Sequence, residues 1–193
     1  ELSKKEIENF AKYETPIKVF HLQKMDWKRF TENFTYHTNA IEGSTVALSE
    51  VQELLEHKEK PKNLEELEAV NVARAVEFIK NSKEKLSPEF IKNIHCICFK
   101  GTKSFAGKLR NVEVVITNQE GKIIHQGAPA KELSYLLKEL GEWYEKHAKK
   151  YPPLLLAAIM HNQFEKIHPF QDGNGRVCRL LLNYVLLKHD YPP

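Results

Sequence analysis

The sequence predicts an all-α fold that carries one β-hairpin. Three observations lead there. Apolar residues recur at helical spacing through most of the chain. Residues that start helices stand directly before these runs. Only one stretch, "VEVVITNQEGKIIHQ", shows β-branched residues around a central turn. With 41% hydrophobic and 28% charged residues in 193 positions, the chain suits one packed domain with a small extension.

Each element has its own justification. Ser3 with Glu6 makes a capping box before "EIENFAKY", and residues 1–26 are expected to form a helical extension of a main domain at 27–193. "DWKRFTENFTYHTNAI" and "LSEVQELLEH" predict helices on either side of Gly43. "NLEELEAVNVARAVEFIKN" predicts a long amphipathic helix capped by Asn63. "SPEFIKNIHCICFK" opens with Ser87 as N-cap and Pro88 at the first helical position. The hairpin turns at Asn118 to Gly121 and resumes at Ile123 and Ile124. Two strands on a helical body cannot make a core sheet, so this is expected to be a surface arm or flap. "APAKELSYLLKELGEWYEKHAK" and the strongly apolar "PPLLLAAIMHNQFEKI" predict two more helices. "RVCRLLLNYVLLKH" predicts the last, starting directly after a pair of glycines.

A net charge of +3 gives no electrostatic case for nucleic acid or an acidic membrane surface. Apolar runs such as "YPPLLLAAIM" are too short to span a bilayer, and no signal peptide opens the chain. The chain begins at Glu1 and stops at "DYPP", as a trimmed piece would. Three cysteines, Cys96, Cys98 and Cys178, do not build a disulfide framework and point to a reducing, cytoplasmic compartment. His95, Cys96 and Cys98 point in different directions on a helix, so core packing is expected there rather than zinc.

Residues 168–179, "HPFQDGNGRVCR", concentrate the chemistry. Glycines at a helix N-terminus expose backbone N–H groups that bind anions, pyrophosphate above all. Arg176 and Arg179, on neighbouring turns, can fork onto phosphate oxygens. Asp172 stands where one carboxylate can hold a Mg²⁺ that bridges phosphates. His168 is suited to take a proton near neutral pH. Each residue alone is commonly structural. Together they describe transfer of a phosphorus group from a nucleotide to a hydroxyl, because a helix cap needs neither the histidine nor the second arginine.

The stretch resembles the signature of the Fic family, His-x-Phe-x-(Asp/Glu)-Gly-Asn-Gly-Arg-x-x-Arg, at every defined position. "AGKLRNVEVVI" resembles the family's approach to its flap hairpin, and the likeness covers roughly residues 27–193. It implies a Fic-type helical bundle and transfer of AMP from ATP to a Ser, Thr or Tyr hydroxyl of a target protein. By the resemblance His168 is the base and Asp172 the Mg²⁺ ligand. Gly173, Asn174, Gly175 and Arg176 hold the α- and β-phosphates, and Arg179 reaches the γ-phosphate. The Doc branch, which phosphorylates its target, has Ala and Lys at the positions of Gly173 and Gly175, so this chain sides with the nucleotidyl transferases. The hairpin at 112–126 is expected to dock the target by strand addition, with Ile116 and Thr117 nearest the nucleotide. Asn183 and Tyr184 are explained as well by packing as by the nucleotide site.

A second motif lies upstream. "TNAIEG" at 38–43 resembles the family's inhibitory pattern, (Ser/Thr)-x-x-x-Glu-(Gly/Asn). Locally, Glu42 ends a helix whose dipole disfavours an anion, and Gly43 is a natural left-handed stop. A solvated terminal acid satisfies that pattern. The resemblance instead names Arg179 as the partner of Glu42. It thereby implies autoinhibition, together with the family's self-modification and homodimer formation. Two alternatives remain open on sequence: a de-adenylylating hydrolase that uses Glu42, and a nucleotide-sensing module with little turnover.

Overall fold

The computed structural model describes residues 2–13, 26–118 and 120–193, except the side chains of Ile116, Ile124 and His125. Eight α-helices form its body: α1 (Lys4–Tyr13), α2 (Trp27–Ile41), α3 (Leu48–Glu56), α4 (Leu64–Asn81), α5 (Pro88–Phe99), α6 (Leu133–His147), α7 (Pro153–Ile167) and α8 (Asn174–Lys188). Two short strands, β1 (Val115–Thr117) and β2 (Ile123–Gln126), lie between α5 and α6. Among the described residues no helix is long and apolar enough to cross a membrane.

The caps named from sequence are formed. Ser3 and Glu6 bond reciprocally at α1, the Ser3 N–H donating to Glu6 Oε2 at 2.8 Å. Asn63 Oδ1 accepts the Glu66 N–H at 2.9 Å, and Ser87 Oγ accepts the Phe90 N–H at 3.1 Å. Asp26 caps α2 by accepting from the Arg29 N–H at 3.0 Å. The expected boundary between extension and main domain follows residues 14–25, which lie outside the described residues. Leu2 and Ile7, at α1, pack against the main core.

That core is built mainly from α4, α5, α6, α7 and α8. Phe90, Ile94, Phe99, Leu137, Leu156, Phe164, Phe170 and Leu180 are fully buried in it. Tyr184 belongs to the same core, with its hydroxyl on the Glu84 carbonyl at 2.6 Å, and Asn183 donates to the Arg179 carbonyl at 3.0 Å. Both residues therefore do packing work. α7 and α8 lie side by side, and the loop between them carries residues 168–173. α8 begins at Asn174, two residues earlier than expected, which puts Gly175 inside its first turn. Gly173 is the N-cap at φ 81°; a Cβ there would stand 2.2 Å from the Phe99 ring, so only glycine fits.

β1 and β2 are antiparallel, pairing Val115 with Gln126 and Ile116 with His125, and the register shifts before Thr117 meets Ile123. The turn is closed by the Asn118 side chain, whose Oδ1 accepts from the Glu120 and Lys122 N–H groups at 3.1 and 2.9 Å.

Phe90 anchors this core, with its ring 4.6 Å from that of Tyr184 and 5.5 Å from that of Phe78. Phe90→Ala should cost about 3–5 kcal/mol by emptying that position. Urea denaturation measures it; a loss below about 1 kcal/mol would show that α5 is not held by this cluster.

Candidate active site

The loop from His168 to Gly173 is fixed from three sides. His168 takes a left-handed conformation (φ 49°, ψ 62°) that ends α7, its N–H donating to the Phe164 carbonyl at 2.9 Å. That conformation costs a non-glycine residue about 1–2 kcal/mol, so something must hold it. Arg110 does. Its Nε donates to the His168 carbonyl at 2.7 Å, Nη1 to Val112 at 2.8 Å, and Nη2 to Ala128 and, at 3.3 Å, to Ile167. Its backbone N–H donates to the Pro169 carbonyl at 3.0 Å. Gly127 makes room for this staple: a Cβ there would be 2.8 Å from Arg110 Nη2 and 3.4 Å from His168 Cβ.

His95 of α5 holds the far end of the loop. Its Nδ1 accepts the Gly107 N–H at 2.8 Å, which leaves the proton on Nε2 to donate to the Asp172 carbonyl at 3.0 Å. The ring stacks on Phe170 at 3.9 Å. Burial drives its pKa down to about 4, against the smaller pull of the Asp172 carbonyl, so it is neutral. Both ring nitrogens are thus engaged, while Cys96 is exposed and Cys98 buried. Asn174 closes the loop from within: Oδ1 accepts the Phe170 N–H at 2.9 Å and Nδ2 donates to the Phe170 carbonyl at 2.8 Å. Its side chain is thereby committed to the loop, and its backbone N–H is what it can offer an anion.

The candidate groups sit on this frame. His168 Nδ1 is buried without a hydrogen bond and lies 3.7 Å from Glu165 Oε2. The imidazole beside it holds the Glu165 carboxyl below the usual carboxylate range, more strongly than burial raises it. Asp172 Oδ1 accepts the Gly173 N–H at 2.6 Å, and Oδ2 faces Lys103 Nζ at 3.2 Å. The first N–H groups of α8, from Asn174, Gly175 and Arg176, have no intrahelical acceptor by helix geometry.

The two arginines separate. The Arg176 side chain is buried: it pairs with Glu68, donates to Asn39 Oδ1 at 3.4 Å, and lies over the Phe99 ring at 4.4 Å. Its guanidinium is therefore an interhelix clamp that also brings Nη2 to 3.8 Å from Asp172 Oδ1, just before α8. Arg179 reaches the surface. Its Nη2 meets Glu42 Oε1 at 2.6 Å and the Thr38 carbonyl at 3.1 Å, and its Nε donates to Thr38 Oγ1 at 2.7 Å. The Glu42 carboxylate rests directly on Gly175, where a Cβ would be 2.4 Å from Oε1. Glu42 caps α2 and is followed by Gly43 at φ 90°. Thr117 is exposed on β1, and the Ile116 side chain lies outside the described residues.

Sequence reasoning missed Arg110, His95, Glu165, Glu68 and Lys103 as parts of this site. Glu165 carried a signal, standing three residues before His168 and hence on its face. Glu68 carried another, as an acid within an apolar helical pattern. Arg110 carried none, because its partners are backbone atoms.

The chain is similar to known proteins in sequence and fold. A family model described as Fic/DOC matches residues 85–186. The protein adenylyltransferase Fic of Nematostella vectensis is 29% identical over 167 residues, covering 82% of this chain and 38% of that protein. The protein adenylyltransferase fic-1 of Caenorhabditis briggsae is 32% identical over 173 residues, covering 83% of this chain and 32% of that protein. The chain thus spans 32–38% of the length of these relatives. Among solved structures, a Fic domain containing signaling protein from Bacteroides thetaiotaomicron superposes with a TM-score of 0.80 at 28% identity, covering 97% of this chain and 73% of that one. Fic-1 from Caenorhabditis elegans (aa134–508) gives 0.75 at 26% identity, covering 98% and 57%.

The buried His95 makes stability depend on pH. Its folded pKa, about 4, lies below the ordinary 6.5, so between those values the unfolded chain binds a proton that the folded chain refuses. Stability therefore falls as pH drops through that window, by up to about 3 kcal/mol from this residue. In His95→Gln the fall between pH 6.5 and 4 should be correspondingly shallower; parallel urea-denaturation profiles for the two proteins would refute the assignment.

Proposed function

The chain belongs to the Fic/DOC family, and from that premise we propose that it is a Mg²⁺-dependent protein adenylyltransferase that moves AMP from ATP to a hydroxyl side chain of a target protein and is held back by Glu42. The observation that carries this reading is the Glu42 carboxylate lying on Gly175 and paired with Arg179, at a helix N-terminus shaped for an anion. His168 stands at the entrance to the same turn, on the loop that leads into α8.

His168 takes the proton of the target hydroxyl, and the hydroxyl oxygen attacks the α-phosphorus. The bond from that phosphorus to the oxygen bridging to the β-phosphate breaks, and pyrophosphate leaves. Glu165, beside Nδ1, steadies the imidazole so that the other nitrogen meets the substrate. The N–H groups of Asn174, Gly175 and Arg176 cradle phosphate oxygens. Asp172 fits a Mg²⁺: its side chain is 42% exposed, and the partly exposed Lys103, 3.2 Å from Oδ2, can swing away, while Arg176 stays 3.8 Å from Oδ1. A Mg²⁺ held by Asp172 would supply positive charge that offsets the phosphates.

Glu42 opposes this arrangement in two ways. It occupies the cation meant for the γ-phosphate, and its carboxylate fills the space over Gly175. ATP then enters with its phosphates bent off the line of attack. The hairpin around 112–126 would present backbone groups to a target strand, with Thr117 nearest the nucleotide. A second reading, hydrolysis of AMP from a modified protein, is favoured by the same carboxylate, which is placed to orient a water over the first turn of α8.

Intact mass spectrometry with ATP and Mg²⁺ tests both. Glu42→Gly should gain AMP mass, on itself or on a target, at least about tenfold faster than wild type. It should lose about 1 kcal/mol of stability or less, because the pair is partly exposed. Arg179→Ala should not gain, since it deletes a phosphate contact along with the inhibitory one. No gain in Glu42→Gly would reject autoinhibition, and loss of an existing AMP-stripping activity would establish the hydrolase. On the Glu42→Gly background, His168→Ala should lower labelling by about a hundredfold or more while ATP still binds. Unchanged labelling would remove His168 from the chemistry.

A further inference from the structure

Next to the proposed base, α7 and α8 bring together three side chains of a different chemistry. His161 and Glu165 are four residues apart on α7 and share one face. Cys178 reaches the same point from α8. One donor atom from each residue lies within 4.8 Å of the other two. His161 Nδ1 is buried with no hydrogen-bond partner, and His168 Nδ1, near Glu165, is in the same state. The Cys178 thiol is buried and points at the His161 carbonyl, 3.4 Å away. A buried ring nitrogen without a partner is a cost that the fold does not otherwise offset.

We propose that His161, Glu165 and Cys178 form a zinc site, and that filling it withdraws Glu165 from His168. Zn²⁺ takes thiolate, imidazole and carboxylate ligands in such three-residue sets. The thiolate selects against Mg²⁺, which prefers oxygen ligands and its own waters. An imidazole and a carboxylate four residues apart on one helix are spaced to hold one metal ion. Cys178 releases its thiol proton to solvent as the ion binds. The carboxylate and thiolate then balance the charge of the ion, and the His161 ring supplies a neutral nitrogen donor. Glu165 coordinates the metal and no longer steadies the His168 ring, so zinc slows transfer. The slowing rests on the proposed role of His168; the site itself does not.

The test uses the whole chain, reduced, with Mg²⁺ in excess. Titration with Co²⁺ as a probe should show one equivalent bound, with a sulfur-to-cobalt charge-transfer absorption that Zn²⁺ displaces. Cys178→Ser should abolish that absorption. Cys178→Ser and His161→Gln should each weaken Zn²⁺ binding by about tenfold or more in calorimetry, with wild-type circular dichroism. His161 is partly exposed, so His161→Gln keeps the test open should Cys178→Ser fail to fold. Cobalt bound without thiolate absorption, or zinc affinity unchanged in the folded variants, overturns the site. For the second half, Zn²⁺ should suppress AMP labelling by Glu42→Gly and spare Glu42→Gly with Cys178→Ser. Equal labelling of zinc-loaded and zinc-free protein overturns the regulation. Absence of labelling in every sample, with the spectroscopic signature intact, instead rejects the transferase reading and supports the zinc site.

Discussion

The buried guanidinium of Arg110 spends its donors on backbone carbonyls. The carbonyls of Ile167 and His168 come from the end of α7, that of Val112 from the approach to β1, and that of Ala128 from the exit of β2. Its nearest carboxylate, Glu113, stands 3.9 Å away and is largely exposed. Burying a charge in this way is tolerable only when its N–H groups are satisfied. The compensation couples three chain segments that backbone bonds also join, the Ala128 N–H donating to the Ile167 carbonyl at 3.2 Å and the Gly127 N–H to the Val114 carbonyl at 3.1 Å. The left-handed turn at His168, the close approach at Gly127 and the base of the hairpin all meet at that one side chain. Because its acceptors are main-chain atoms, the residues supplying them are free in side chain but not in conformation.

The two arginines of the glycine turn show how a helix divides labour. Three residues of offset send their side chains to different neighbours. Arg176 goes inward, 5% exposed, into Glu68, Asn39 and the face of Phe99. Removing Arg176 would leave the largely buried Glu68 carboxylate with only the longer contact to Lys103, 4.0 Å away, among the described residues. Arg179 goes outward to Thr38 and Glu42, with 24% of its side chain in solvent. Water can replace those contacts at little cost. α2 touches both, through Asn39 and Thr38, so the placement of α2 on α8 is set by the buried arginine and sensed by the exposed one.

Much of this was legible in the sequence, because the legible parts are local. Caps such as Asn63 and Ser87 announce themselves by residue type a few positions from the helix they start. The glycine turn announces itself because Gly173 must clear Phe99 and adopt φ 81°. The Glu42–Arg179 contact spans 137 positions and was reachable only through resemblance. Local chemistry left Glu42 a solvated acid as readily as a partnered one. What stayed hidden is what depends on distant backbone, such as Arg110 on its carbonyls and His95 on Asp172. The use of Asn174 was hidden for another reason. An asparagine in an anion-binding turn and an asparagine that closes the loop on Phe170 look the same until the loop is folded.

The contact between Glu42 and Arg179 lies within one chain, and this decides how it responds to concentration. A separate inhibitor would leave on dilution and return on crowding. A tethered carboxylate holds the same effective concentration at any protein level, so under the proposed autoinhibition each copy of the site would carry a fixed dose of its own antagonist. A contact that is weak as an isolated surface pair can then persist. Release follows from mechanics rather than titration. Whatever lifts the C-terminal turn of α2 from Gly175 would break the Glu42–Arg179 contact, and whatever presses α2 down would strengthen it.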